Sequence, residues 1–133
     1  MKKLFFIIIA SFCSLNIFGQ WTQLNSGTTE TLNCVYFTDV NTGYAAGSGS
    51  TTATLIKTID GGTTWNPLAI NTVNEIYSLS FGSSNVGYAL TKQSELFKTL
   101  DAGTTWDNIY NFGVFDGHIF FQNADTGFVA NGD

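Results

Sequence analysis

This 133-residue sequence predicts an all-β fold assembled from repeated four-stranded antiparallel units, and three observations carry the prediction. The stretch Thr58-Ile59-Asp60-Gly61-Gly62-Thr63-Thr64-Trp65 is written again as Thr99-Leu100-Asp101-Ala102-Gly103-Thr104-Thr105-Trp106. Short aromatic strands recur in step with it, as Cys34-Val35-Tyr36-Phe37, Leu79-Ser80-Phe81 and Ile119-Phe120-Phe121. The composition suits many short strands and turns, with 44% hydrophobic and 15% aromatic residues but only 11% charged. It is not the composition of a disordered chain.

Taken in order, the chain opens with Met1-Lys2-Lys3 and an apolar run from Leu4 to Leu15, then Asn16-Ile17-Phe18-Gly19-Gln20. A short positive segment, a short apolar segment and a small residue before the cut predict a signal peptide over 1–19, cleaved after Gly19. The apolar run falls short of the roughly 20 residues that span a bilayer, so no membrane attachment is expected after cleavage and the product is expected to be secreted. Cys13 falls within this leader, which leaves Cys34 as the one cysteine of the mature chain and forbids an internal disulfide. Cys34 then reads as a small packed side chain.

From residue 20 onward the repeat sets the divisions: a leading strand over 20–30 around Trp21, one unit over 31–70, a second over 71–112 and an incomplete one over 113–133. Each first strand ends in Phe37, Phe81 or Phe121, and the chain runs on through a polar turn into Gly43-Tyr44, Gly87-Tyr88 or Gly127-Phe128. A third strand follows twice, as Leu55-Ile56-Lys57-Thr58 and Leu96-Phe97-Lys98-Thr99, each leading into the Asp-Gly turn and a fourth strand bearing Trp65 or Trp106. The extra length of the first unit falls around Ser48 to Ala53. Four strands in about 40–45 residues is the spacing of β-propeller blades.

The turn chemistry can be derived from the residues. Asp60 and Asp101 stand at strand ends, where a short carboxylate accepts hydrogen bonds from the turn's own amides. Gly62 and Gly103 supply a positive φ without steric cost. Thr58 is expected to face Thr64 across the ladder, and Thr99 to face Thr105. Trp65 and Trp106 are expected to bury their rings beneath the turn, each contributing a few kcal/mol on typical aromatic magnitudes.

At this point a resemblance becomes specific. Thr58-x-Asp60-x-Gly62-x-Thr64-Trp65 and Thr99-x-Asp101-x-Gly103-x-Thr105-Trp106 resemble the Asp-box, or BNR repeat, at every defining position. With the Gly-Tyr and Leu-x-Lys-Thr segments, residues 20–133 resemble the propellers of the photosystem II assembly factor (Ycf48/HCF136-like) family, especially its secreted bacterial members. The resemblance implies blade architecture, with the Asp-box between the third and fourth strands and away from the ligand face. It assigns the ten box residues a structural role and implies no cofactor.

Several chemistries lack their residues. There is no arginine, and beyond residue 19 three lysines face ten acids, so nucleic acid is not an expected partner. Sialidases also carry Asp-boxes, but they grip substrate with an arginine cluster, so Tyr36, Tyr44, Tyr77, Tyr88 and Tyr110 have no such set to serve. The basic recognition surface of the photosystem family has no counterpart either. Cys34, Ser78 and His118 occupy the same strand position in three successive units and could be sketched as nucleophile and base, yet nothing orients His118. Asp39-Val40-Asn41-Thr42-Gly43 has alternating oxygen donors but lacks the closing acid of a calcium loop. No catalytic, cofactor or metal residues are therefore expected.

About two and a half blades leave the ring incomplete, so the sequence reads as the N-terminal part of a longer propeller. Open sheet edges would also allow self-association. The functional expectation is a secreted, non-catalytic module that binds protein or glycan or serves as a scaffold. The alternative is the N-terminal fragment of a secreted glycoside hydrolase whose catalytic residues lie in further blades.

Overall fold

Ten strands and no helix make up the described residues, 22–113 and 117–131, of a computed structural model. The expected signal peptide and Trp21 lie outside them. Strands β1 (Leu32–Phe37), β2 (Gly43–Gly47), β3 (Thr54–Thr58) and β4 (Asn66–Pro67) pair in sequence order as one antiparallel sheet. Strands β5 (Ile76–Phe81), β6 (Gly87–Thr91), β7 (Glu95–Thr99) and β8 (Asp107–Asn111) repeat it, and β9 (Gly117–Phe121) with β10 (Gly127–Asn131) forms a two-stranded third sheet. The first strands lie side by side, β5 packing against both β1 and β9. These are propeller blades, two of them four-stranded, as the repeat predicted. Even the irregularities repeat: the ladder slips between Leu32 and Cys34 in one blade and between Ile76 and Ser78 in the next.

Residues 22–30, the described part of the expected leading strand, pair with none of the described sheets. One local expectation is corrected. The fourth strands begin one residue after each tryptophan, so Trp65 and Trp106 stand at the turn exits. β4 is only two residues long and ends at Pro67, whose ring nitrogen has no hydrogen to give the ladder.

What joins the blades is an aromatic clasp that the sequence writes twice. Tyr44 of β2 stacks on Phe81 at the end of β5, with ring centroids 4.2 Å apart and planes 21° apart. Tyr88 of β6 stacks on Phe121 of β9 at 3.5 Å and 5°. Lys57 Nζ lies 5.2 Å from the centroid of Tyr44, and Lys98 Nζ lies 5.3 Å from that of Tyr88, so a cation covers each stack. The glycine before each tyrosine makes room for the Phe at the end of its own sheet's first strand. A Cβ on Gly87 would come within 2.4 Å of the Phe81 ring, and one on Gly43 within 2.7 Å of Phe37.

Hydrogen bonds peg the same joint. Tyr44 donates its hydroxyl to Ala102 O at 2.9 Å, and Lys57 Nζ donates to that carbonyl at 2.8 Å. Tyr36, opposite Tyr44 in the ladder, donates to Phe81 O at 2.9 Å. Between the second and third sheets, Ser78 and Ser80 accept the backbone N–H groups of Ile119 and Phe121. Around these contacts Leu55, Ile70, Ile76, Leu79, Phe97 and Trp106 form the main core.

The two tryptophans differ because only one lies inside a joint. Trp106 is 8% exposed, meets Phe81 edge to face at 6.2 Å and donates its indole N–H to Gly103 O. Trp65 meets Phe37 in the same way at 6.2 Å, but among the described residues no Tyr-bearing sheet covers that Phe, and Trp65 is only half-buried. The expectation that both rings are buried alike is corrected accordingly. Trp106→Ala is expected to cost about 3–5 kcal/mol and Trp65→Ala roughly half of that or less, measured by urea unfolding of the two variants. Equal losses would mean that Trp65 is as fully packed as Trp106.

Candidate functional site

Antiparallel strands give each blade two ends, and the sequence treats them differently. At one end lie the Asp-boxes and the turns between first and second strands. At the other lie the loops 48–53 and 92–94 and the connections between blades.

The Asp-box end is consumed by its own hydrogen bonds. Thr58 Oγ1 donates to Asp60 Oδ1 at 2.7 Å and accepts from the Gly62 N–H at 2.9 Å. Asp60 Oδ1 also accepts from the Thr64 N–H at 2.8 Å, and Oδ2 from the Thr64 hydroxyl at 2.6 Å. Thr99, Asp101, Gly103 and Thr105 repeat this set at 2.8, 2.9, 2.8 and 2.7 Å. Each pair of threonines therefore clamps the aspartate between them rather than facing across the ladder, because two carboxylate oxygens can take both hydroxyls. Two successive residues adopt positive φ in each box: Gly61 at 70° and Gly62 at 91°, then Ala102 at 56° and Gly103 at 85°. Ala102 thus holds a left-handed conformation that sequence reading assigned to Gly103 alone. The boxes are tied to the adjacent turns through Gly61 N–H to Asn41 O and Ala102 N–H to Asn85 O.

These donors hold both aspartates ionised. The Thr64 hydroxyl and amide, then the Thr58 hydroxyl, lower Asp60 from 3.8 to about 2, and Thr105 and Thr99 do the same to Asp101. The turn over 39–43, which only faintly resembles a calcium loop, is equally occupied: Asp39 Oδ1 accepts from the Asn41 and Thr42 N–H groups, which lower its pKa. Asn123 repeats that turn with Asp125 and Thr126. Among the described residues no three His, Cys, Asp or Glu side chains gather where they could hold a metal ion.

The sketched dyad separates into three packing roles. The Cys34 thiol donates to Ala46 O, and burial pushes its pKa up to about 12. Ser78 accepts the Ile119 N–H, and His118 lies against Tyr77 with ring centroids 5.0 Å apart.

The opposite end carries side chains that the hairpins do not use. Asn33 Nδ2 crosses from β1 to Glu75 Oε1 at 2.7 Å and Ile76 O at 3.2 Å. The other oxygen of Glu75 lies 3.7 Å from Lys92 Nζ. Glu95, at the start of β7, accepts from the Thr72 hydroxyl and the Asn74 amide, both at 2.8 Å. Inward of this group stand Tyr77 and His118. Outward, Tyr110 of β8 meets Phe112 edge to face at 4.7 Å.

Sequence reading missed Asn33, Thr72, Asn74, Glu75, Lys92 and Glu95. The available signal was departure from the repeat, since Glu95 stands where the first blade has Thr54. The box aspartates generate a pH prediction. A carboxyl lowered on folding contributes stability above its unfolded value, and that contribution is lost as pH falls through the folded one. The thermal midpoint is therefore expected to fall between about pH 4 and pH 2, and Asp101→Asn is expected to flatten that fall while lowering the midpoint at pH 7, as read by circular dichroism.

Comparison with known proteins bears on this geometry. A family profile described as "Photosynthesis system II assembly factor YCF48" matches residues 14–118. A solved structure described as "YCF48 bound to D1 peptide" is similar with a TM-score of 0.64 and 28% identity, covering 78% of this chain and 34% of that one. The present chain therefore spans about a third of the length of that structure. A search of curated proteins finds no match.

Proposed function

Because the chain belongs to the family of the photosynthesis system II assembly factor YCF48, we propose that it is an exported, non-catalytic module that binds a peptide segment of another protein. The observation that carries this reading is the peptide held by the similar solved structure. The face bearing Glu75, Glu95, Tyr77, His118 and Tyr110 is the docking surface. Supporting that choice, both oxygens of each Asp-box aspartate are hydrogen-bonded within the turn, whereas the Thr72, Asn74 and Thr91 hydrogen bonds to Glu95 all fall on Oε2.

The partner segment carries lysine or arginine. Beyond residue 19 the chain has ten acids, three lysines and no arginine, and Lys57 and Lys98 already cover tyrosines at the joints. An acidic surface speeds encounter with a basic segment and disfavours an acidic one. A non-catalytic role is supported by the occupied states of Cys34, Ser78 and both box aspartates. Glycan binding and glycoside hydrolysis have no such support among the described residues.

Fluorescence anisotropy with two labelled peptides of equal length tests the docking surface. One carries lysines and the other carries glutamates in their place. The lysine peptide is expected to bind more tightly and to weaken with added salt, and the Glu75→Gln, Glu95→Gln double variant to lose about tenfold in affinity, or about 1.4 kcal/mol. Equal binding of both peptides would overturn the charge preference, and an unaffected double variant would overturn the surface. For export, N-terminal sequencing of protein recovered outside the cytoplasm is expected to begin at Gln20; recovery of the intact Met1 terminus only would count against it.

A further inference from the structure

One backbone bond recurs at the loop end of both four-stranded sheets. In the first sheet the Ser48 N–H donates to Thr31 O at 3.0 Å, and in the second the Lys92 N–H donates to Glu75 O at 2.8 Å. Each ties the residue just after a second strand to the residue just before a first strand. That joint needs no charge, since the first sheet builds it with Ser48 and Thr31. The second sheet adds an ion pair to it: Lys92 Nζ lies 3.7 Å from Glu75 Oε2.

The two sides of this carboxylate are held very differently. Asn33 Nδ2 donates to Oε1 at 2.7 Å and to Ile76 O at 3.2 Å, so Glu75 is aimed from the neighbouring blade whether or not the lysine is present. At 3.7 Å the ammonium stands beyond the about 2.7–2.9 Å of a charge-assisted hydrogen bond. The Lys92 and Glu75 side chains are 58% and 29% exposed, although sheets pack on both sides of the one that carries them. A water-exposed pair at that distance holds its partner weakly. The flexible stem of a lysine lets Nζ leave while the backbone of Lys92 stays pinned. Lys57 and Lys98 cover tyrosines at the joints, so among the described residues Lys92 is the lysine that reaches a carboxylate.

We propose that Lys92 is an internal stand-in for the cation of the bound peptide. It occupies Glu75 Oε2 in the free protein, and a lysine or arginine of the partner segment displaces it. This rests on the docking surface proposed above and adds the device that regulates it. The tethered ammonium lowers the apparent affinity of every cationic segment by the fraction of time for which Oε2 is free. A lone cation is therefore turned away, and a segment that brings further contacts holds the site.

Fluorescence anisotropy with the same lysine and glutamate peptides tests it on the full chain and on its Lys92→Gln, Lys92→Arg and Glu75→Gln variants and the Lys92→Gln, Glu75→Gln double variant. Lys92→Gln is expected to tighten the lysine peptide about threefold, and Lys92→Arg, which keeps the competing charge, to bind no tighter than wild type. In the Glu75→Gln background the Lys92→Gln change is expected to have no effect, because the competition needs the carboxylate. Tightening of equal size in both backgrounds would show a general loss of positive charge and overturn the proposal. So would an unchanged affinity in Lys92→Gln, or a Lys92→Arg variant that tightens as much as Lys92→Gln. A wild type that prefers neither peptide would instead overturn the docking surface, and this inference with it.

Discussion

The structure depends on one requirement: a small antiparallel sheet with two apolar faces must find cover on both. Here the cover is another blade, and the contact that locks it is a tyrosine from a second strand laid on a phenylalanine from the next blade's first strand. Other features serve that stack. The glycine before the tyrosine clears space for a ring, the lysine paired with the tyrosine on the next strand caps it with charge, and the box tryptophan closes the edge of the phenylalanine. Stacked and edge-to-face aromatic pairs of this sort contribute about 0.5–1.5 kcal/mol each beyond the area they bury. With no disulfide among the described residues, such pairs and the core around them carry the stability.

Separating stability from recognition follows from where the hydrogen-bonding capacity is spent. At the Asp-box end, every carboxylate oxygen of Asp60 and Asp101 is engaged by a threonine hydroxyl or a turn amide. Those groups would have to break the hairpin before they could bind anything else. At the other end the connections differ from blade to blade, Glu75 being held by Asn33 of β1 and Glu95 by Thr72 and Asn74 of the connection between blades. Variation there leaves the clasp untouched, so the same scaffold can present different ligand surfaces.

Strand order, turn placement and the propeller class were legible because each follows from residues close in sequence. Asp60 announces a hairpin through its neighbours Thr58 and Thr64, whatever surrounds it. The burial of Trp65 was not legible, since its sequence context matches that of Trp106 and only the presence of a covering blade distinguishes them. The threonine geometry was misread for a similar reason: a ladder diagram pairs Thr58 with Thr64, whereas the carboxylate between them bonds both. Pro67 could have warned that β4 would be short. The candidate face was hidden by the very alignment that revealed the fold, because alignment draws the eye to what recurs, and Glu95, Asn74 and Asn33 do not recur.

Each repeat brings an inserting aromatic and a receiving phenylalanine on the same short stretch of chain, and this has a consequence for how such molecules change over generations. Copying one unit in tandem within a gene supplies a new joint with both of its halves already matched, and deleting one rejoins halves that still fit. No compensating substitution is required on either side. The two box stretches share Thr, Asp, Gly, Thr and Trp while the loops at the far end differ.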